Sequence, residues 1–137
     1  MKAEDTSLPP SKRAALRMIQ RACVLTGRER SLRQQIRKVN LVTRWRIDDW
    51  DLEWTAVLDR GSFHFERRPA RRPDAILSWS SAANFFGHRE GSSEDMETTL
   101  EGAPDARRVA ERVLRVFLEM LRRVLEYPYD EDGQRLA

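Results

Sequence analysis

The chain has one cysteine, Cys23, in 137 residues. No internal disulfide can form, and its apolar neighbours make Cys23 a small core side chain rather than a reactive thiol. Histidine occurs only at His64 and His88. Two histidines and one cysteine so widely separated do not make a metal site, and no cofactor is expected. Glycine is sparse and nowhere forms a phosphate-binding loop. No serine lies in the strained, glycine-flanked turn of a nucleophile elbow, so no Ser-His-Asp arrangement can be argued. No apolar run approaches the roughly 20 residues needed to span a bilayer, and the N-terminus lacks a signal-peptide core. A cytoplasmic placement is the expectation.

Acidic residues are almost missing from the front of the chain. Between Ser11 and Ile47 there are eleven lysines and arginines against the single acid Glu29. From Glu90 onward the balance reverses, with twelve acids against seven arginines, and the net charge is only +3. A basic front half attracts phosphates, although solvated ion pairs between the two halves would account for the same counts. Residues 11–38 contain no aromatic side chain, which disfavours a stacking platform for nucleic acid. The chain is 40% hydrophobic and 34% charged, the composition of one globular domain with a well-solvated surface.

Residues 1–10 end in Pro9-Pro10 and read as a flexible leader; 11–126 read as a single domain and 127–137 as a flexible tail. Within the domain, 11–38 are basic helices and 39–126 are a sheet with covering helices. Ser11 is placed to cap a helix running to about Leu25, with Gly27 as its stop. A second short helix covers about Glu29 to Arg37. From Val39 the apolar period changes to two. In "VNLVTRWRI" Val39, Leu41, Trp45 and Ile47 share one side. In "WDLEWTAVLD" Trp50, Leu52, Trp54, Ala56 and Leu58 do the same. A two-residue turn at Asp48-Asp49 sets Ile47 opposite Trp50 and Trp45 opposite Leu52, with Arg46 facing Asp51 and Arg44 facing Glu53. A second turn at Arg60-Gly61 sets Phe63 opposite Leu58 and Phe65 opposite Ala56. His64 falls on the charged face beside Val57.

After the loop "RRPARRP", Asp74 to Trp79 reads as a fourth strand with Ala75, Leu77 and Trp79 inward. Ser80 or Ser81 then caps a short helix ending in Phe85-Phe86. Met96 to Glu101 reads as a fifth strand, with Met96, Thr98 and Leu100 on one side. Pro104 opens a long helix to about Glu126, whose stripe is Ala106, Val109, Ala110, Val113, Val116, Phe117, Met120, Leu121 and Val124. The fold class is α+β: a five-stranded mixed sheet, three strands of it an antiparallel meander, with helices on one face and a long C-terminal helix.

This order of elements, with "LEWTAVLDRG", "RPDAILSWSS" and "TTLEG" before an amphipathic helix, resembles the lipid-binding domain of the sterol carrier protein type 2 family. The likeness runs from about Ile36 to Leu121. The segment "GHREGSSED" departs from the family's usual Gly-Lys-Leu-type segment and short helix, and the terminal helix is longer. The resemblance implies an apolar tunnel between sheet and terminal helix, holding a lipid without catalysis. Lining residues would then come from Trp45, Trp54, Phe63, Phe65, Leu77, Trp79, Phe85, Phe86, Met96, Val113, Phe117 and Met120.

Taken singly, each of these aromatics reads as plain core ahead of ligand contact, and a lining role rests on the resemblance. Headgroup or membrane contact would fall to Arg28, Arg30, Arg33, Arg37, Arg71 and Arg72, where a basic amphipathic segment can lie on anionic membrane. The expected partner is a hydrophobic small molecule or lipid, with the protein a monomer or homodimer. Two other readings compete. A cyclase or isomerase that works by shaping an apolar substrate would leave no motif, and a basic-surface adaptor for nucleic acid or protein would use the arginines.

Overall fold

Alternation of apolar and polar residues from Asn40 onward builds a sheet with one greasy face. The computed structural model describes residues 11–87 and 98–136. The 1–10 leader, His88 and Met96 lie outside them. Five strands, β1 (Asn40–Ile47), β2 (Leu52–Asp59), β3 (Ser62–Glu66), β4 (Ala75–Trp79) and β5 (Thr98–Gly102), stand in the order β3-β2-β1-β4-β5. Neighbours are antiparallel except β1 and β4, which run parallel. The sheet is therefore mixed, and the fold is α+β, as the sequence pattern predicts. On the inner face lie Trp45, Ile47, Leu52, Trp54, Ala56, Leu58, Ala75, Leu77 and Trp79, all buried.

The first turn differs from the expected one. Ile47 pairs with Leu52, Trp45 with Trp54, Arg46 with Glu53 and Arg44 with Thr55. The connection is a 3-10 turn, Asp48–Trp50, closed by Asp51 at φ +51°. The register is shifted by two residues, which leaves the paired side chains of both strands on their expected faces. The longer turn has a use. Asp49 Oδ1 accepts from the Ala82 N–H at 2.9 Å, and the Asp49 N–H donates to the Ser80 carbonyl at 3.2 Å. Trp50 sits in this turn, half-buried, and not on a strand. Arg44 still reaches Glu53 diagonally, at 2.6 Å from Nε, while Arg46 turns to Asp48 at 2.9 Å. The second turn has the expected register, with Leu58 opposite Phe63 and Ala56 opposite Phe65.

Helix α1 (Lys12–Arg28) begins where Ser11 Oγ accepts from the Ala14 N–H at 3.2 Å. It does not stop at Gly27. That residue is helical, and a Cβ there would lie 3.2 Å from the Phe63 carbonyl oxygen, so glycine lets α1 approach β3 closely. Glu29 ends α1 and starts α2 (Arg30–Gln35), its Oε1 accepting from the Leu32 N–H at 2.8 Å. Helix α2 is shorter than expected, and Leu32 and Ile36 are buried. Cys23 is buried in the core on α1.

A third helix, α3, covers Ala82–Gly87, and the last, α4 (Pro104–Glu126), has Pro104 in its first turn and Asp105 near its positive end. Helix α4 packs on α1 and on β4 and β5. Leu114 joins its buried stripe, whereas Val109 and Val116 are only half-buried. The 67–74 crossover from β3 to β4 passes on the sheet's other side. There the Thr55 hydroxyl, on the face away from Trp54, donates to the Arg68 carbonyl at 2.5 Å.

The C-terminal segment, expected as a tail, folds back instead. Tyr129 bridges to Arg135, Leu136 is buried, and Glu131 forms ion pairs with Arg21 (3.2 Å) and Arg28.

Candidate functional site

Three tryptophans on three adjacent strands form one layer on the inner face. Trp45 lies between Trp54 and Trp79, each ring centroid 5.9 Å from its own. Helix α4 sets Phe117 edge-on to Trp45 at 4.8 Å. Helix α3 is six residues long, pinned by Asp49 and by Ser81, whose Oγ accepts from the Asn84 N–H at 3.0 Å. Ser81 is thus a cap, as the sequence suggests. From α3, Phe85 reaches Trp79 at 4.7 Å, Trp54 at 5.9 Å and Phe117 at 6.2 Å. The edge-on contacts with the two tryptophans suit the ring quadrupoles.

The polar atoms of this layer are treated unequally. Trp45 Nε1 donates to Thr43 Oγ1 at 2.8 Å, and the Thr43 hydroxyl donates to the Ala56 carbonyl at 2.6 Å. Trp54 Nε1 and Trp79 Nε1 are buried and meet no acceptor among the described residues, and Thr98 Oγ1 is also buried without a partner there. Thr98 pairs with Trp79 across β4 and β5, so its side chain shares the inner face. Nothing in the residue pattern signals this imbalance, since an indole's partner depends on ring orientation.

The other expected lining residues divide. Leu77, Val113 and Met120 belong to the same buried core, as does Phe63 where α1 crosses β3. Phe86 is half-buried against Trp50 at 5.8 Å. Phe65 stands apart from the tryptophans, in a groove of about 580 Å³ with Lys12, Arg13, Arg17 and Arg67.

The arginines form two groups. Arg28, Arg30, Arg33 and Arg37 gather with Arg60, Gly61 and Ser62 around a groove of about 420 Å³. Arg60 is an addition to the expected set. Its place follows from the β2–β3 turn, where a Cβ on Gly61 would come within 4 Å of the Arg33 and Arg37 backbone. Arg28 is engaged by Glu131, and Arg60 lies 3.5 Å from Asp59. Arg71 and Arg72 are exposed on the crossover, away from this groove.

Burial pushes the Cys23 thiol pKa well up, which disfavours the thiolate. Among the described residues no three His, Cys, Asp or Glu side chains gather as metal ligands would.

No family model matches the chain, and no curated protein matches it. Solved structures do. One is a conserved hypothetical protein from Thermus thermophilus, suggested to be a sterol carrier protein. It is 16% identical, at a TM-score of 0.49, over 78% of this chain and 85% of that one. Another is the UbiJ-SCP2 ubiquinone synthesis protein, 12% identical, at 0.45, over 85% and 97%. A third likeness is to the inverting sec-alkylsulfatase Pisa1 from Pseudomonas sp., 10% identical at 0.41; it spans 64% of this chain but only 14% of that one. Among the described residues no helix is long and apolar enough to cross a membrane.

Proposed function

We propose that the chain binds a hydrophobic ligand, a fatty acid, acyl-CoA, sterol, isoprenoid or similar lipid, between sheet and helices, and transfers or presents it without catalysis. The observation that carries this reading is the layer of Trp45, Trp54 and Trp79 roofed by Phe85 and Phe117. It is an apolar surface between sheet and helices, and half of its roof is a helix of only six residues. Displacing Phe85 would open space over Trp54 and Trp79 together. Removing about 400 Å² of ligand apolar surface from water contributes roughly 10 kcal/mol gross. Lost translational and rotational freedom offsets a large part, which leaves room for micromolar affinity without a charged partner.

The groove of Arg30, Arg33, Arg37 and Arg60 supports a subsidiary role, contact with anionic headgroups during exchange. Arg28, committed to Glu131, contributes less in this reading.

Native mass spectrometry with lipid extraction tests the main proposal. Co-purified lipid, released on denaturation, is expected. No co-purified lipid together with no binding of a fluorescent fatty acid would sink it. Multiple turnovers of an apolar substrate would favour the catalytic reading instead.

A further inference from the structure

Buried side-chain donors in folded proteins nearly always find an acceptor, and an indole N–H left without one in an apolar interior costs stability. Among the described residues this domain leaves two, Trp54 Nε1 and Trp79 Nε1, on rings that are 0% and 1% exposed. Both rings touch Phe85, at 5.9 and 4.7 Å, so one side chain of α3 covers the pair. Trp45, between them, has its own acceptor in Thr43 and sits outside the pattern. The third unpartnered atom, Thr98 Oγ1, belongs to the residue opposite Trp79. All three of these atoms thus lie on the helix-covered face.

We infer that the interior ligand carries a neutral oxygen acceptor, the carbonyl of an ester, ketone, aldehyde or amide, and that Trp54 Nε1 and Trp79 Nε1 are its donors. This rests on the proposed binding function and narrows its ligand class. Among the described residues charge complementarity disfavours an ionised head at this position. The buried polar residues of the described core are Thr26, Thr43 and Thr55, with no lysine, arginine or histidine among them. A carboxylate brought beside the indoles would lose its hydration with no cation of the described core in return. A plain hydrocarbon would leave both N–H groups as they are. A neutral carbonyl satisfies donors already desolvated by the fold and brings little charge to bury. The Thr98 hydroxyl, which can donate or accept, stands on the same face for a second oxygen.

Titration of the uniformly nitrogen-labelled full chain with methyl octanoate, octanoate and nonane tests this. The four tryptophans give separate indole N–H signals, assigned by single Trp→Phe substitutions. Methyl octanoate is expected to move the Trp54 and Trp79 indole protons downfield and leave that of Trp45 in place. Nonane is expected to bind without the downfield shifts, and octanoate to bind more weakly than the ester or with its head away from the indoles. Trp54→Phe and Trp79→Phe should each reduce the ester-to-nonane affinity ratio by roughly two- to tenfold, the weight of one hydrogen bond. The ratio removes packing losses common to both ligands, and the indole shifts of the unsubstituted protein stand if a variant fails to fold.

Equal binding of ester and nonane with unmoved indole protons would overturn the inference while leaving the binding function intact. So would a trapped water, detected by its exchange with both indole protons and undisturbed by the ester. If none of the three ligands binds, the inference and the proposed function fall together.

Discussion

Gly102 closes the segment "TTLEG" and sits opposite Ala75 at the start of the β4–β5 pair. Its φ is +139°, a conformation side chains rarely adopt, and a Cβ built there would lie 2.6 Å from the Asp74 carbonyl oxygen and 3.2 Å from Ala75 Cα. Asp74 cannot readily give way. Its N–H donates to the Val42 carbonyl at 2.7 Å and its Oδ2 accepts from the Val42 N–H at 2.8 Å, which fastens the start of β4 to β1. Gly102→Ala therefore combines backbone strain of about 1–3 kcal/mol with an overpacking cost of about 1–3 kcal/mol. The sum, on the order of 2–6 kcal/mol, corresponds to a fall in Tm on the order of 10 °C for a domain of this size.

Gly133 supplies the control. It also has positive φ, +82°, but nothing lies within 4 Å of its Cβ position. Gly133→Ala should cost only about 1 kcal/mol. Urea unfolding followed by tryptophan fluorescence reads both variants on one scale. If Gly102→Ala loses no more than Gly133→Ala, the close approach of β5 to Asp74 is not a constraint and the reasoning fails.

Thr43→Val removes the acceptor of Trp45 Nε1 with little change in shape, so a buried N–H is orphaned at about 1–3 kcal/mol. Thr43→Ser should recover much of that loss, and an unchanged urea midpoint in Thr43→Val would refute the pairing. The Arg28 and Arg21 guanidiniums hold the Glu131 carboxyl below its ordinary pKa. Because the folded value is the lower one, the stabilisation is present above the ordinary glutamate value, about 4.3, and is lost as pH falls through the folded value. The protection of the Leu136 and Gln134 amides from hydrogen exchange, relative to their intrinsic rates at each pH, should fall over that acidic range, and Glu131→Gln should flatten the dependence; an identical profile in the variant would discard it. Cys23, buried with its thiol pKa raised, should react with a disulfide reagent far more slowly than in urea-unfolded protein. A native rate equal to the unfolded one would contradict its burial.

The sheet is legible in the sequence because a period of two declares which face each residue takes. Trp45, Trp54, Leu77 and Trp79 all point where alternation puts them. Alternation does not count the residues in a turn, and a shift of two leaves the pattern unchanged. The first register departs from its expected form for that reason, and the deciding facts, Asp51 at positive φ and Asp49 holding α3, are tertiary. Gly27 illustrates a related ambiguity. A glycine near a helix end can stop it or admit a neighbour, and only the nearby Phe63 backbone distinguishes the two. At the candidate site, residue types disclose the aromatic layer but not its hydrogen bonds. Which indole finds an acceptor depends on the placement of Thr43, a short side chain two positions from Trp45 on the same face. Likewise Arg60 joins the α2 arginines through a turn that linear spacing does not connect to them.

The packing of α1 against α4 joins two elements from opposite ends of the domain. A ribosome releases α1 before the sheet and α4 after it, so the apolar face of α1, with Ala15, Met18, Ile19, Ala22 and Cys23, has no α4 to meet until most of the domain has emerged. The meander can pair early, because its turns are short and its contacts local. The parallel pairing of β1 with β4 must wait for the crossover, and final closure waits for Phe117 to reach Trp45. During that interval the nascent chain presents a greasy sheet face and an unsatisfied helix to water or to a chaperone. Vectorial synthesis thus makes the α1–α4 contact a late step, followed by the fold-back of Glu131 and Leu136, and a chain truncated before α4 should be a chaperone client rather than a smaller folded domain.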